Sequence, residues 1–161
     1  LANTAWAYAT AGHAAPALLD AIAKEAAPKL RDFKPQDLSN TVWAFATAGH
    51  AAPALLDAIA KEATQRGLRD FNPQDLANTA WAYATAGHAA TAGHAASALL
   101  DAIAKEAAPK LRDFNPQALA NTAWAFATAA HRAPALLDAI AKEAAQRGLR
   151  EFNPQDLSNT A

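Results

Sequence analysis

Phe71-Asn72-Pro73-Gln74-Asp75-Leu76-Ala77-Asn78-Thr79-Ala80-Trp81 decides the fold, because it recurs along the chain almost letter for letter. Phe33 to Trp43 is a second copy, with Lys34 for the Asn and Val42 before the Trp. Phe114 to Trp124 is a third, with Ala118 for the Asp. Leu1 to Trp6 is the tail of another copy, and Phe152 to Ala161 is a head. Self-similarity at a spacing of ~20–50 residues means stacked supersecondary units, none able to bury its apolar face alone.

Outward from the motif, Trp6, Trp43, Trp81 and Trp124 lie 37, 38 and 43 residues apart. The long gap contains a duplication: Thr85 to Ala90 is followed by its own copy, Thr91 to Ala96. Units alternate in type, since the first and third close through Pro28 and Pro109, the second and fourth through Gly67 and Gly148. The expected division is into units of about 1–33, 34–71, 72–114 (carrying the six-residue duplication at 91–96) and 115–152, with a partial unit at 153–161. Together they are expected to form one array within a longer solenoid.

Each unit reads as two helices. Asn72 is a good N-cap and Pro73 suits the first helical position, where its missing N–H costs nothing. Asp75 falls in the first turn, at the positive end of the helix dipole. The helix is expected to stop at Gly87, a left-handed cap. At 100° per residue, Leu76, Ala77, Ala80, Trp81, Tyr83 and Ala84 share a packing arc, and Gln74, Asp75, Asn78, Thr79, Ala82 and Thr85 a polar one. The second helix starts near Pro53 and turns Leu55, Leu56, Ile59, Ala60 and Ala63 inward. The fold class that follows is all-α: a right-handed α-solenoid of about four stacked helix-turn-helix repeats of 37–38 residues. The alternating Pro and Gly endings predict two kinds of joint between units.

Composition narrows function. With 14 Lys and Arg against 15 Asp and Glu, the net charge is -1, without the basic surplus that usually displaces phosphate counterions. The absence of Cys removes disulfides and thiolate metal sites. No apolar run reaches the ~18–20 residues of a membrane span. Repeated units rarely converge on a unique catalytic constellation, and none is visible, so the expectation is a non-enzyme without cofactor or bound metal.

Several repeated residues have two readings. The Trp ladder is expected to be core, ahead of a stacking platform for bases, with Trp81→Ala costing roughly 3–5 kcal/mol if the ring is buried. The Asn40, Asn78 and Asn121 ladder is expected to hydrogen-bond between units and fix their register, ahead of a role in ligand contact. The histidines His13, His50, His88, His94 and His131 read as turn residues; neighbouring helices ~9–10 Å apart hold them too far from one another to share an ion, and His88 and His94 alone could meet, if the duplicated loop folds back. The Lys and Arg residues where each second helix ends read first as compensation of the helix dipole.

The run Phe-x-Pro-Gln-x-Leu-[Ala/Ser]-Asn-Thr-x-Trp-Ala-[Tyr/Phe]-Ala resembles the octotricopeptide repeats of algae and related helical-hairpin repeats of protists. Phe33, Pro35, Gln36, Leu38, Asn40 and Trp43, with their counterparts from Phe71 and from Phe114, carry the resemblance. It implies an α-solenoid that binds single-stranded RNA in chloroplast or mitochondrial gene expression. The matching contact residues would be Gln36, Asn40 and Thr47; Gln74, Asn78 and Thr85; and Gln117, Asn121 and Thr128, which would meet bases. Arg31, Arg69, Arg112 and Arg150 would meet phosphates. A face so constant from unit to unit can read only a near-homopolymeric stretch. The residues alone suit a protein-interaction scaffold, or a structural subunit of a large assembly, nearly as well.

Overall fold

Every copy of the motif opens a helix in the computed structural model, which describes residues 1–87 and 94–160. The first helices of successive units are α1 (Ala2–Thr10), α3 (Pro35–Thr47), α5 (Pro73–Thr85), α7 (Pro116–Thr128) and α9 (Pro154–Thr160). The second helices are α2 (Pro16–Ala26), α4 (Pro53–Arg66), α6 (His94–Ala107) and α8 (Pro134–Arg147). No strand occurs among the described residues. The first helices stack α1 on α3, α3 on α5, α5 on α7 and α7 on α9, and each hairpin partner lies behind. The result is the expected all-α array of stacked repeats.

Local chemistry sets the helix ends. The Asn72 side chain accepts the Asp75 N–H at 2.8 Å, and the Asp75 carboxylate accepts the Asn72 N–H at 3.2 Å. This reciprocal box closes two otherwise orphaned donors, which gives Asp75 a more definite task than dipole compensation. Asn153 and Asp156 repeat it. Asn115 caps alone, because Ala118 has nothing to return. At the other end Gly12, Gly49 and Gly87 sit at φ 62°, 62° and 63°, as the left-handed cap requires. In the fourth unit Ala130 holds that conformation at φ 51°.

The two closing types give two joints, as the alternation predicts. Gly67 and Gly148 end their helices abruptly at φ 80° and 75°. Pro28 and Pro109 do not end the helical path; they convert it to 3-10 segments at Ala27–Asp32 and Ala108–Asp113. These segments take up the space in front of the following second helix. So α4 meets the first unit mainly through 27–32 and α8 meets the third mainly through 108–113, whereas α4 and α6 pack helix on helix.

Between the layers the core is formed by Leu38, Val42, Phe45, Leu56, Ile59, Leu76, Tyr83, Leu99, Ile103, Leu119, Phe126 and Ile140, all buried. The polar arc proves narrower than its periodicity suggests. Asp75, Thr79 and Ala82, expected on it, are buried, because α5 has α3 on one side, α7 on the other and second helices behind. Thr79 satisfies itself by donating to the Asp75 carbonyl at 2.6 Å, and Thr41 and Thr122 do likewise one turn back. Tyr83, sealed between layers, donates its hydroxyl to the Leu56 carbonyl at 2.6 Å. Burial and the nearby Asp57 charge push its phenol far above the ordinary range.

Candidate functional site

What remains of the polar arc after stacking is a strip about 60° wide on each first helix, at 100° per residue. On α5 it holds Gln74, Asn78, Trp81 and Thr85. The N-terminal half of this strip in α1, α3 and α5 borders a groove of about 550 Å³, lined by Asn3, Trp6, Ala7, Gln36, Asn40, Asn72, Gln74, Asp75 and Asn78. Gln36, Gln74 and Gln117 are exposed, while Asn40, Asn78 and Asn121 are half-buried.

These amides are unengaged. No Asn40, Asn78 or Asn121 side chain makes a hydrogen bond to another unit, or to any group among the described residues. The expectation that they fix register is therefore corrected: the three side chains are half-buried, open in part to water, and bonded to no neighbouring unit. Register is set by other groups. Ser39 donates to the Asp75 carbonyl at 3.3 Å. Arg66 reaches back to the carbonyls of Leu30, Arg31 and Phe33 in the preceding unit, held from behind by Glu62 at 2.7 Å. Arg147 makes the same clamp on Leu111, Arg112 and Phe114 with Glu143 behind it. Lys110 serves the intervening joint by donating to the Arg69 carbonyl at 2.9 Å. Dipole compensation was the expectation for these cations; their larger task is to bond one unit to the next.

Two of the histidines, His50 and His131, are also joint residues, which spacing alone does not reveal. His50 Nε2 lies 2.8 Å from Asp20 of the preceding unit, and His131 stands in the same way to Asp101. Each ring also meets the edge of its own unit's Phe, with centroids 5.7 Å apart for Phe45 and for Phe126. A thirty-residue separation between an i,i+4-patterned helix and a turn gives no sequence signal of contact. His88 and the duplicated Thr91–Gly93 lie outside the described residues; His94 begins α6 and is exposed.

The remaining site residues are not in one place. Thr47 borders a separate cavity of about 320 Å³ with Tyr8, His13, Leu19 and His50. Thr85 borders another of about 380 Å³ with Phe45, His50 and Leu56. Both lie at the far end of the first helix, seven residues and ~10 Å beyond the Asn. Thr128 is exposed at the corresponding place. Arg31 faces a notch among second-helix residues Ala58, Lys61, Glu62 and Gln65, and Arg112 an equivalent notch with Ala139, Lys142, Glu143 and Gln146. Neither notch shares a lining residue with the amide groove. Arg69 and Arg150 are exposed on their linkers.

The Trp residues depart from expectation as well. Trp43, Trp81 and Trp124 are half-buried, and Trp6 is 43% exposed. On the wheel Trp81 falls only ~20° from Gln74, at the border of the packing arc, so one part of the ring packs and the rest reaches the strip.

The groove is electrically quiet. Its lining has no Lys or Arg, and its single carboxyl, Asp75, is buried. Burial holds that carboxyl above its ordinary 3.8, against the opposing pull of the Asn72 N–H. Such a lining offers paired donors and acceptors rather than charge, suited to the edges of flat polar molecules. Among the described residues no three His, Asp or Glu side chains converge, and no helix is long and apolar enough to cross a membrane.

No individual curated protein matches the chain. The family described as the Tbc2 translation factor, N-terminal domain, matches it over residues 1–161. With stacked helical repeats throughout and a match along its whole length, the chain belongs to the Tbc2 translation factor N-terminal domain family.

Proposed function

We propose that the array is a non-catalytic module that binds single-stranded RNA for a translation factor in organelle gene expression. The observation that carries this reading is the row of unengaged amides, Gln36, Asn40, Gln74 and Asn78, aligned along one groove. Amides spare of protein partners cost stability when half-buried, and a ligand that supplies donors and acceptors repays that cost. Octotricopeptide-like repeats, which the motif resembles, bind RNA, and a translation factor family provides a setting for such binding. Gln117 and Asn121 extend the row by one unit. Bases meet the amides; Arg69 and Arg150, and Arg31 and Arg112 where the strand leaves the groove, meet phosphates.

A protein-scaffold reading has its own support in the neutral groove and in the paired notches of Arg31 with Lys61 and Arg112 with Lys142. Fluorescence anisotropy with labelled single-stranded RNA separates the two. Binding at low salt that weakens as salt rises supports the RNA reading, with a logarithmic slope of about -0.7 per phosphate contacted. No binding of any strand at low salt removes it.

A further inference from the structure

Each unit also presents an indole, and the amide reading makes no use of it. Trp6, Trp43, Trp81 and Trp124 form an unbroken row with ring centroids 6.4 Å apart at every step and planes tilted by 31–35°. The row runs beside the amides, and Trp6 itself lines the groove. No indole N–H in the row finds an acceptor among the described residues. Nor are those of the half-buried Trp43, Trp81 and Trp124 sealed from water, since the one buried side-chain polar atom lacking a partner there is Thr64 Oγ1. A Trp spent wholly on packing pairs its N–H with a protein acceptor, whereas an indole half packed and half reachable, with a free donor, belongs to a binding surface.

Resting on the RNA reading above, we propose that Trp43, Trp81 and Trp124 are base-binding residues and that the strand they select is a run of uridines. Three features lead there. The groups are the same in each unit, so successive nucleotides meet the same chemistry. The 6.4 Å step is nearly twice the ~3.4 Å rise of stacked bases, so bases that follow the indoles cannot stack on one another. That favours the base with least stacking to lose, and pyrimidine runs are preferred on this ground in other single-strand binders. Finally, each unit supplies a donor-only indole N–H beside amides that both donate and accept. Uracil presents a carbonyl, an N–H and a second carbonyl along one edge, which two donors and one acceptor satisfy. Adenine, with one ring acceptor and one amino donor along that edge, leaves one of the two donors unmatched, and cytosine, which could match them, has more stacking to lose than uracil.

The test compares labelled oligouridine, oligocytidine and oligoadenine on the whole chain at low salt. It follows anisotropy and intrinsic Trp emission together. The expected result is tightest binding of oligouridine with quenching of Trp emission. Trp81→Phe, which keeps a ring but loses the N–H, should bind oligouridine about fivefold more weakly or worse with an unchanged unfolding midpoint. Oligocytidine or oligoadenine binding as tightly as oligouridine would overturn the proposal. So would unaltered Trp emission together with a Trp81→Phe variant that binds like the parent. In both cases a strand still binds and the RNA reading stands. If no strand binds, the RNA reading fails and the proposal with it.

Discussion

Ala130 stands where Gly12, Gly49 and Gly87 stand in the other units, and it takes the same left-handed conformation, at φ 51°. For a residue with a Cβ that conformation costs roughly 1–2 kcal/mol. Ala130→Gly should therefore raise stability by about 1 kcal/mol despite the extra freedom it gives the unfolded chain, as urea denaturation would read. Asp75 makes a prediction about pH. Its folded carboxyl, raised by burial, keeps its proton to higher pH than the unfolded chain does, so folding takes up a proton in that window. Stability falls as pH rises from 3.8 through the raised folded value. Asp75→Asn should flatten that segment of the stability profile without loss at neutral pH. A drop of more than about 1 kcal/mol at pH 7 would mean that the charged cap outweighs the burial. Trp81→Ala should cost about 2 kcal/mol, less than full burial implies, because only part of the ring is removed from water.

Elements are joined here by long cations acting on carbonyls. Arg66 closes α4 and fastens it to the 3-10 segment of the preceding unit, and Arg147 does the same one block later. The guanidinium fork meets several carbonyls at once, which a Lys ammonium, a point donor on a flexible stem, cannot reproduce. Arg66→Ala should cost roughly 2 kcal/mol. Arg66→Lys should recover less than half of it, and Gln65→Ala should change little. A lower urea m-value in Arg66→Ala would show that the first unit has begun to unfold apart from the rest. The joint between the second and third units relies on direct α4–α6 packing and on Lys110, so it should be indifferent to this substitution.

At the level of the molecule, stability in a stacked array is close to a sum of unit and neighbour terms. A helix flanked on both sides should open last. Amide hydrogen exchange is expected to be slowest in α3, α5 and α7, which have first helices on either side. It should be fastest in α1 and α9, where Trp6 and Leu157 stand 43% and 39% exposed. Equal protection along the chain would point to a single cooperative core instead. The same additivity bears on binding: a ligand lying along the groove touches several units and should slow exchange across all of them together.

The sequence by itself determined the units, their two helices, the alternation of joints and the all-α class. All of these follow from local rules: a proline at the first helical position, a glycine past the last, apolar residues at helical period. It also placed the repeated Gln and Asn residues outside the packing arc. Only the tertiary structure decided which polar residues are buried, since the wheel of one helix cannot show that α3 and α7 cover Asp75 and Thr79 from the sides. It decided that the Asn ladder is unengaged and the Trp ladder half open, and that Arg66, Arg147, His50 and His131 act across joints. It also parted the Thr and two Arg positions from the amide groove. The physical reason is common to these: each contact joins residues about thirty or more positions apart, and their distance is set by how units stack rather than by anything within a unit.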